Sequence, residues 1–264
     1  MSLKGLPSTF IKSLISFYPM IIVRYAEIGL KGKNRANFER QLQKNIRHCF
    51  KKNNLSFEKV TRERGRIFVY SKEKCPHLKY IFGISSYSYG KEYYLDFETI
   101  KKAALEHYTK GTFRITCQRS VKKLLPSTEM EREVGAYIVE NTGAKVSLTE
   151  PETNIHIELY NENAYIYTEK IKGPGGLPVG AEARVVLLLE KEDSVKAGVL
   201  VMKRGCRVDV VNKNNIDWHE LEKYAFGYSI KELDEIPEDA DAVVVSDTIG
   251  SLKEYPYFVL RPLI

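Results

Sequence analysis

Long apolar runs are missing from this 264-residue sequence. The nearest candidate, Thr9-Phe10-Ile11-Lys12-Ser13-Leu14-Ile15-Ser16-Phe17-Tyr18, carries a lysine and falls well short of the roughly eighteen residues a membrane helix needs. A membrane partner is therefore not expected, and the chain reads as a soluble, cytoplasmic protein. Cysteine is scarce as well. Cys49, Cys75, Cys117 and Cys206 stand far apart, with no pair at metal-ligand or redox spacing, and the five histidines do not cluster with them. That pattern excludes a zinc site and a disulfide framework and leaves thiols in a reducing compartment, with no metal expected. What is present is ordinary globular material, 43% hydrophobic, in a chain long enough for two or three small domains.

The first nineteen residues read as partly dispensable. Met1-Ser2-Leu3 resembles an expression remnant, and Met20-Ile21-Ile22-Val23-Arg24-Tyr25 looks like a native start that runs straight into a strand. A secretory signal is the rival reading, but the stretch has no small-residue cleavage site.

The net charge of +7 is unevenly spread. Residues 20–90 hold 16 lysines and arginines against 5 acidic residues, residues 91–172 hold 12 against 13, and residues 173–264 hold 11 against 16. Basicity therefore belongs to the first segment. Such a concentration suits a polyphosphate backbone, where each neutralised phosphate releases counterions, although a lysine-rich solvated face has the same composition.

The apolar spacing divides the chain into three blocks. In residues 20–90, Ile21–Tyr25 predicts a strand, 26–34 a polar turn with Gly29 and Gly32, and Arg35 to Lys52 a helix with Phe38, Leu42, Ile46, Cys49 and Phe50 on one face. Phe57–Thr61 and Arg66–Tyr70 predict a hairpin about Arg64-Gly65, Cys75–Phe82 a short helix, and Ile84–Tyr89 a strand. This β-α-β-β-α-β order predicts a ferredoxin-like domain. In residues 91–172, helices are expected over Phe97–Tyr108 and Ser127–Thr142, the second with a capped start at Ser127 and a stop at Gly143. A strand over Thr112–Gln118 and a hairpin of Asn154–Tyr160 with Asn163–Thr168 complete the block.

Between the second and third blocks, Lys172–Gly180 holds four glycines and two prolines in nine residues, a linker or close-approach loop. Residues 173–264 then predict a buried strand at Arg184–Leu189, a helix to about Lys203, a strand at Arg207–Asn212 and another at Ala242–Ser246. This is the pattern of a mostly parallel α/β layer.

Several motifs lie in order along the chain. They are Arg24-Tyr25-Ala26-Glu27-Ile28-Gly29-Leu30-Lys31-Gly32-Lys33-Asn34-Arg35, then Arg119-Ser120-Val121-Lys122-Lys123 with Pro126-Ser127-Thr128-Glu129, then Gly175-Gly176-Leu177-Pro178-Val179-Gly180, and finally 255–264. Together they closely resemble the tRNA 4-thiouridine synthases, the ThiI family, over essentially everything from residue 20. The resemblance implies a ferredoxin-like domain, a THUMP RNA-binding domain and a Rossmann-like PP-loop adenine-nucleotide domain. It implies that the first two hold the tRNA acceptor end, with Arg24, Lys31, Lys33, Asn34, Arg35, Arg64, Arg119, Lys122 and Lys123 as RNA contacts. A basic turn between strand and helix suits phosphates physically, since glycines admit close approach and the helix start adds positive potential. Arg62, Arg64 and Arg66 on the hairpin could extend the stripe, although charge alternation on a solvated hairpin explains them as well, and Tyr87, Tyr89, Tyr93 and Tyr94 could stack on an unpaired 3′ end, although such tyrosines are more often core or domain-interface residues.

The third block departs from the family. A PP-loop resembles Ser-Gly-Gly-x-Asp-Ser after its strand, whereas Glu190-Lys191-Glu192-Asp193-Ser194 stands here. Both glycines are gone, and two glutamates occupy the place of phosphates. Roughly ninety residues follow the linker, which reads as a truncated domain, and Cys206 is a poor match for the family's sulfur-accepting cysteine. The expectation is a tRNA-binding protein with no catalytic residues and no cofactor, delivering tRNA to a separate modifying enzyme. Two alternatives stay open: a tRNA sulfurtransferase using ATP and Mg, alone or with a partner subunit, and an oligomerisation module in which acidic and basic segments of two copies pair in a homodimer.

Overall fold

The computed structural model describes residues 18–63 and 65–264; the first seventeen residues and Arg64 lie outside the described residues, and with them the readings made there. The chain forms two compact units that do not follow sequence order. One contains Val69–Lys74 and Ser88–Ile171 with the described residues up to Ile22, the other Val23–Phe68, Cys75–Tyr87 and Lys172–Ile264.

The elements in chain order are β1 (Tyr18–Arg24), α1 (Arg35–Lys52), β2 (Lys59–Glu63), β3 (Arg66–Tyr70), β4 (Ser86–Tyr94), α2 (Phe97–His107), β5 (Phe113–Arg119), α3 (Ser127–Thr142), β6 (Thr153–Tyr160), β7 (Asn163–Tyr167) and β8 (Ile171–Lys172). They continue with β9 (Arg184–Leu188), α4 (Asp193–Lys203), β10 (Arg207–Val211), β11 (Glu232–Leu233), β12 (Val243–Val244) and β13 (Val259–Leu260). The mixed α/β character and the ferredoxin-like order of the N-terminal elements are those expected.

In the first unit β4 pairs antiparallel with β7, β7 antiparallel with β6, and β6 parallel with β5. Helices α2 and α3 pack their apolar faces on this sheet, burying Ile100, Ala104, Met130, Val134 and Ile138 against Phe113, Ile155 and Ile157. Helix α3 stops where the sequence says it should. Gly143 takes φ +68° and its N–H caps Val139 C=O, a left-handed close that glycine adopts without steric cost. Its start differs from expectation: Ser127 lies inside the helix and Pro126 holds the cap position with no side-chain cap. Proline fixes a backbone angle that suits the entry, and its C=O accepts from Met130 N–H at 2.8 Å.

In the second unit α1 buries Phe38, Leu42, Ile46, Cys49 and Phe50, the face that periodicity predicted. Its polar flank reaches the glycine-rich segment: Gln41 Nε2 and Asn45 Nδ2 both donate to Val179 C=O at 3.0 Å. That segment is a close-approach loop. A Cβ on Gly173 would stand 2.3 Å from Ile84 C=O, and one on Gly176 2.3 Å from Lys203 C=O, so any other residue would displace backbone. The helix expected over Cys75–Phe82 is instead a single 3-10 turn, Pro76–Tyr80. Eight residues are too few to recover the cost of helix nucleation, and the chain is already extended again at Ile81.

The sheet of this unit has the order β11-β10-β9-β12-β13, with every pair parallel. Its interior is Val185, Leu187, Val208, Val210 and Val244 beneath Ala197, Val201 and Met202 of α4. The strand expected over Ala242–Ser246 is hydrogen-bonded as a strand only at β12, although all five residues are buried. All four cysteines are free thiols, three of them buried, with Cys49 Sγ 3.6 Å from Cys75 Sγ.

Candidate nucleic-acid interface and nucleotide crevice

The basic turn between β1 and α1 is built from two 3-10 turns, Glu27–Leu30 and Gly32–Asn34, hinged at Gly32 with φ +51°. Lys33 and Asn34 are exposed, and Lys33 has no ion-pair partner among the described residues. Lys31 is held: its Nζ meets Glu182 at 3.1 Å and lies 4.5 Å from the centre of the Phe38 ring. Arg35 is held more firmly, donating from Nε to Glu39 at 2.8 Å and from Nη2 to the Tyr25 hydroxyl at 2.8 Å. The Tyr25 hydroxyl itself donates to Glu39, and Arg62 Nη1 approaches the second carboxylate oxygen at 3.1 Å. Burial, and then Glu39, raise the Tyr25 pKa, keeping it a hydroxyl donor. Arg24, one of the expected contacts, is buried at 5% exposure. Sequence reasoning did not find Glu39; its signal was the Arg35/Glu39 spacing of four on a helix.

In the first unit the second basic group follows β5. Arg119 Nη1 donates to Leu124 and Leu125 C=O, both at 3.2 Å, and so folds the loop over which Lys122 and Lys123 project. Lys123 pairs with Glu162, whereas Lys122 is exposed with no ion-pair partner among the described residues. Of the four tyrosines considered for stacking, Tyr87 and Tyr93 are core residues at 2% exposure; Tyr89 and Tyr94 are half-buried.

The second unit's parallel sheet reverses its winding between β9 and β12, and at such a switch point the carboxyl ends of the strands open a crevice where α/β proteins take ligands. The loop Glu190–Asp193 leads from β9 into α4 here. Its backbone does not form an open nest: Glu190 N–H and Lys191 N–H both donate to Ser194 Oγ at 3.2 and 3.3 Å, and Ser194 Oγ donates to Ser246 Oγ at 3.0 Å. Beside it the Glu190 carboxylate takes Lys253 Nζ at 2.9 Å and the Tyr255 hydroxyl at 3.3 Å. Tyr255 also meets Asp247 Oδ1 at 3.1 Å, and Arg261 Nε meets Asp247 Oδ2 at 3.1 Å.

Asp247 is 3% exposed. Burial alone would raise its pKa, but bonds from Lys253 N–H, Arg261 and Tyr255 outweigh it and hold the carboxyl below its ordinary range. A triphosphate placed here would have to displace Ser194 from the two N–H groups and face the Glu190 and Asp247 carboxylates. Among the described residues no group of histidines, cysteines and carboxylates is arranged to hold a metal ion, and no helix is long and apolar enough to cross a membrane. Sequence reasoning found the loop but not Ser246, Asp247, Lys253, Tyr255 and Arg261. Tyr255 and Arg261 were visible only as part of the closing motif, without a role.

The geometry defines a class: a ferredoxin-like α/β region joined to a mixed sheet-and-helix region, each with a basic loop. Comparison with known proteins makes it specific. Residues 20–88 match the ThiI ferredoxin-like domain and residues 96–169 the THUMP domain. The chain is 39% identical over 213 residues to a probable tRNA sulfurtransferase of Methanobrevibacter smithii, covering 75% of this chain and 54% of that protein. It is 36% identical over 234 residues to a probable tRNA sulfurtransferase of Thermococcus kodakarensis, covering 80% and 61%.

Among solved structures, PH1313 from Pyrococcus horikoshii superposes with a TM-score of 0.83 at 30% identity, over 93% of this chain and 94% of that one. A 4-thiouridine synthetase in complex with RNA and bound ATP superposes with a TM-score of 0.63 at 34% identity, over 74% and 52%. The chain belongs to the ThiI family of THUMP-containing proteins. It spans about half the length of the curated relatives it matches.

Proposed function

We propose that this chain binds the acceptor end of tRNA through the Lys31–Arg35 turn and the Lys122/Lys123 loop, and that it performs no adenylation. The first half rests on the cation surplus of residues 20–90 and on the exposed lysines of the Lys122/Lys123 loop, in a family whose members include a synthetase solved with RNA. Lys33 and Lys122 are the foremost phosphate contacts, because no carboxylate among the described residues neutralises them. Arg35 and Arg119 position these contacts, one by tying α1 to Tyr25 and Glu39, the other by shaping the loop.

The second half rests on one observation: the crevice at the carboxyl ends of β9 and β12 holds the chain's own Glu190–Lys253 and Asp247–Arg261 pairs, and Ser194 takes the loop's N–H groups. On this reading the protein needs neither ATP nor Mg and presents tRNA to a separate modifying enzyme in the cytoplasm. The alternative, a tRNA sulfurtransferase, is favoured by one feature, Asp193-Ser194 surviving at the start of α4, and by the ATP bound in the related synthetase.

The deciding experiment has two arms. Equilibrium binding of tRNA with and without its 3′ single-stranded end, across a salt series, should show affinity that falls with salt and depends on that end, and both effects should weaken in a Lys33→Ala/Lys122→Ala variant. In parallel, labelled ATP with tRNA should yield no AMP above background. tRNA-dependent AMP release would replace this reading with the sulfurtransferase one, and salt-insensitive binding unaffected by the variant would remove the RNA contacts.

A further inference from the structure

The basic turn ahead of α1 holds two lysines in opposite states. Lys33 is exposed with no ion-pair partner among the described residues, whereas Lys31 Nζ stands 3.1 Å from Glu182 Oε1. That carboxylate does not come from the turn's own block. Residues 20–90 contain five acidic side chains, and the two closest to the turn in sequence are committed elsewhere. Glu27 takes Gly176 N–H and Arg204, and Glu39 takes Tyr25, Arg35 and Arg62. Glu182 is delivered from the acidic third block, 151 residues further along the chain.

The backbone directs that delivery. Gly180 takes φ +87° and its N–H donates to Gly205 C=O at 2.8 Å, and Glu182 N–H donates to the same carbonyl at 3.1 Å. Gly205 itself takes φ +98°, and a Cβ there would stand 3.1 Å from Glu182 Cγ, so glycine leaves room for the glutamate stem. Lys31 is placed independently of its partner. Its Nζ lies 4.5 Å from the centre of the Phe38 ring, and Phe38 is buried in the first turn of α1, so the ammonium keeps a fixed position when the carboxylate leaves.

The pair is built to open. Glu39 is buried and held by three donors, whereas Glu182 has Lys31 as its one side-chain donor among the described residues, and the two side chains are 32% and 41% exposed. Solvent and salt screen such a pair, leaving it closed by no more than a few-fold over open. A phosphate offers the same ammonium a charge-assisted bond of the same kind, with the rest of the RNA backbone attached. The loop after β5 repeats the arrangement in a more exposed form: Lys123 pairs with Glu162 at 57% and 75% exposure, beside the unpaired Lys122.

We infer that Glu182 stands at Lys31 in place of an RNA phosphate, and that tRNA docks on the turn by exchanging the one for the other. Glu182 is thus a built-in competitor that lowers the affinity of the site and eases release of the bound RNA. The inference rests on the proposed reading of the Lys31–Arg35 turn as an RNA contact.

The test is equilibrium binding of tRNA to the full chain at about 50 mM and about 300 mM salt, with Lys33→Ala as the control for that reading. Glu182→Gln keeps the size of the side chain and removes its charge. It should bind tRNA about two- to fivefold more tightly at the lower salt, the gain shrinking towards none at the higher. Lys31→Ala/Glu182→Gln should bind no more tightly than Lys31→Ala, because the carboxylate acts through the lysine. Unchanged or lower affinity in Glu182→Gln, while Lys33→Ala weakens binding, would overturn the inference alone. So would an undiminished gain in the Lys31→Ala background, which would make Glu182 a general repulsive charge. Binding indifferent to both Lys31→Ala and Lys33→Ala would remove the RNA reading and the inference with it.

Discussion

Two regions of this chain are built around the same device, a carboxylate shared by a tyrosine hydroxyl and an arginine, and they put it to different ends. At the approach to α1, Glu39 gathers Tyr25, Arg35 and Arg62, and further cations stand outside that cluster. In the crevice beyond β9 and β12, Asp247 gathers Tyr255 and Arg261, and the next carboxylate, Glu190, takes up Lys253. One region is left with free positive charge and the other closes on itself. A count of basic residues therefore overstates what a phosphate can meet, because arginines that satisfy a carboxylate are already committed.

The most severe way to break the comparison is to remove the two central carboxylates. Glu39→Ala leaves two arginines and a tyrosine without their acceptor and should cost about 3 kcal/mol in urea unfolding. Asp247→Ala strands one arginine and the Lys253 N–H, while Tyr255 keeps Glu190, and should cost about 2 kcal/mol by the same measurement. An Asp247→Ala protein that unfolds at the wild-type midpoint would show that the crevice is not held shut by this network.

Smaller in stability, but sharper for function, is the contrast between neighbouring cations. Arg35→Ala should lose about 1–2 kcal/mol through Glu39 and Tyr25. Lys33→Ala should leave the melting temperature unchanged while lowering tRNA affinity severalfold and reducing the slope of log affinity against log salt by about 0.9, the signature of one phosphate contact. If Arg35→Ala weakened binding without loss of stability and Lys33→Ala did neither, the assignment of the two residues would be reversed.

The histidines extend the comparison to pH. Burial, and then Lys91, lower the pKa of His107 despite the opposing Ala103 C=O and Glu106, and burial with Lys52, Lys44 and Lys51 lowers that of His48. The unfolded chain therefore binds more protons than the folded one as pH falls below the ordinary histidine value of about 6.5, and stability is lost through that window down to the folded pKa. Urea midpoints at about pH 7.5 and about pH 5.5 should differ by up to about 1 kcal/mol per histidine, and His107→Gln should shrink the difference. An unchanged difference in that variant would place the proton uptake elsewhere.

Much of this was legible in the sequence because local rules and tertiary packing agree. Helix α1 was legible in its apolar spacing, from Arg35 to about Lys52, and Gly143 marked the end of α3 because a left-handed close needs glycine. The replaced loop at Glu190 was visible because the phosphate nest it departs from depends on glycines. The rest was hidden where partners lie far apart in the chain. Glu190 and Lys253 are 63 residues apart, and Asn45 meets Val179 across 134. Exposed and committed arginines look alike in a sequence, so Arg35 and Arg119 could not be told from Lys33 and Lys122 before their acceptors were seen.

The gentlest test separates occupancy from stability in the crevice. Lys253 lies at the surface, where an ion pair is screened by solvent, so Lys253→Ala should barely move the unfolding midpoint. It nonetheless frees the Glu190 carboxylate, and with it a second negative charge in the mouth of the site. If the crevice excludes nucleotides because its loop N–H groups are taken by Ser194 and its walls are acidic, the variant should bind ATP no better than the wild type in calorimetric titration. Measurable ATP binding on loss of Lys253 alone would mean that the lysine side chain had been the obstruction, and that the strand ends beneath it still offer phosphates a place.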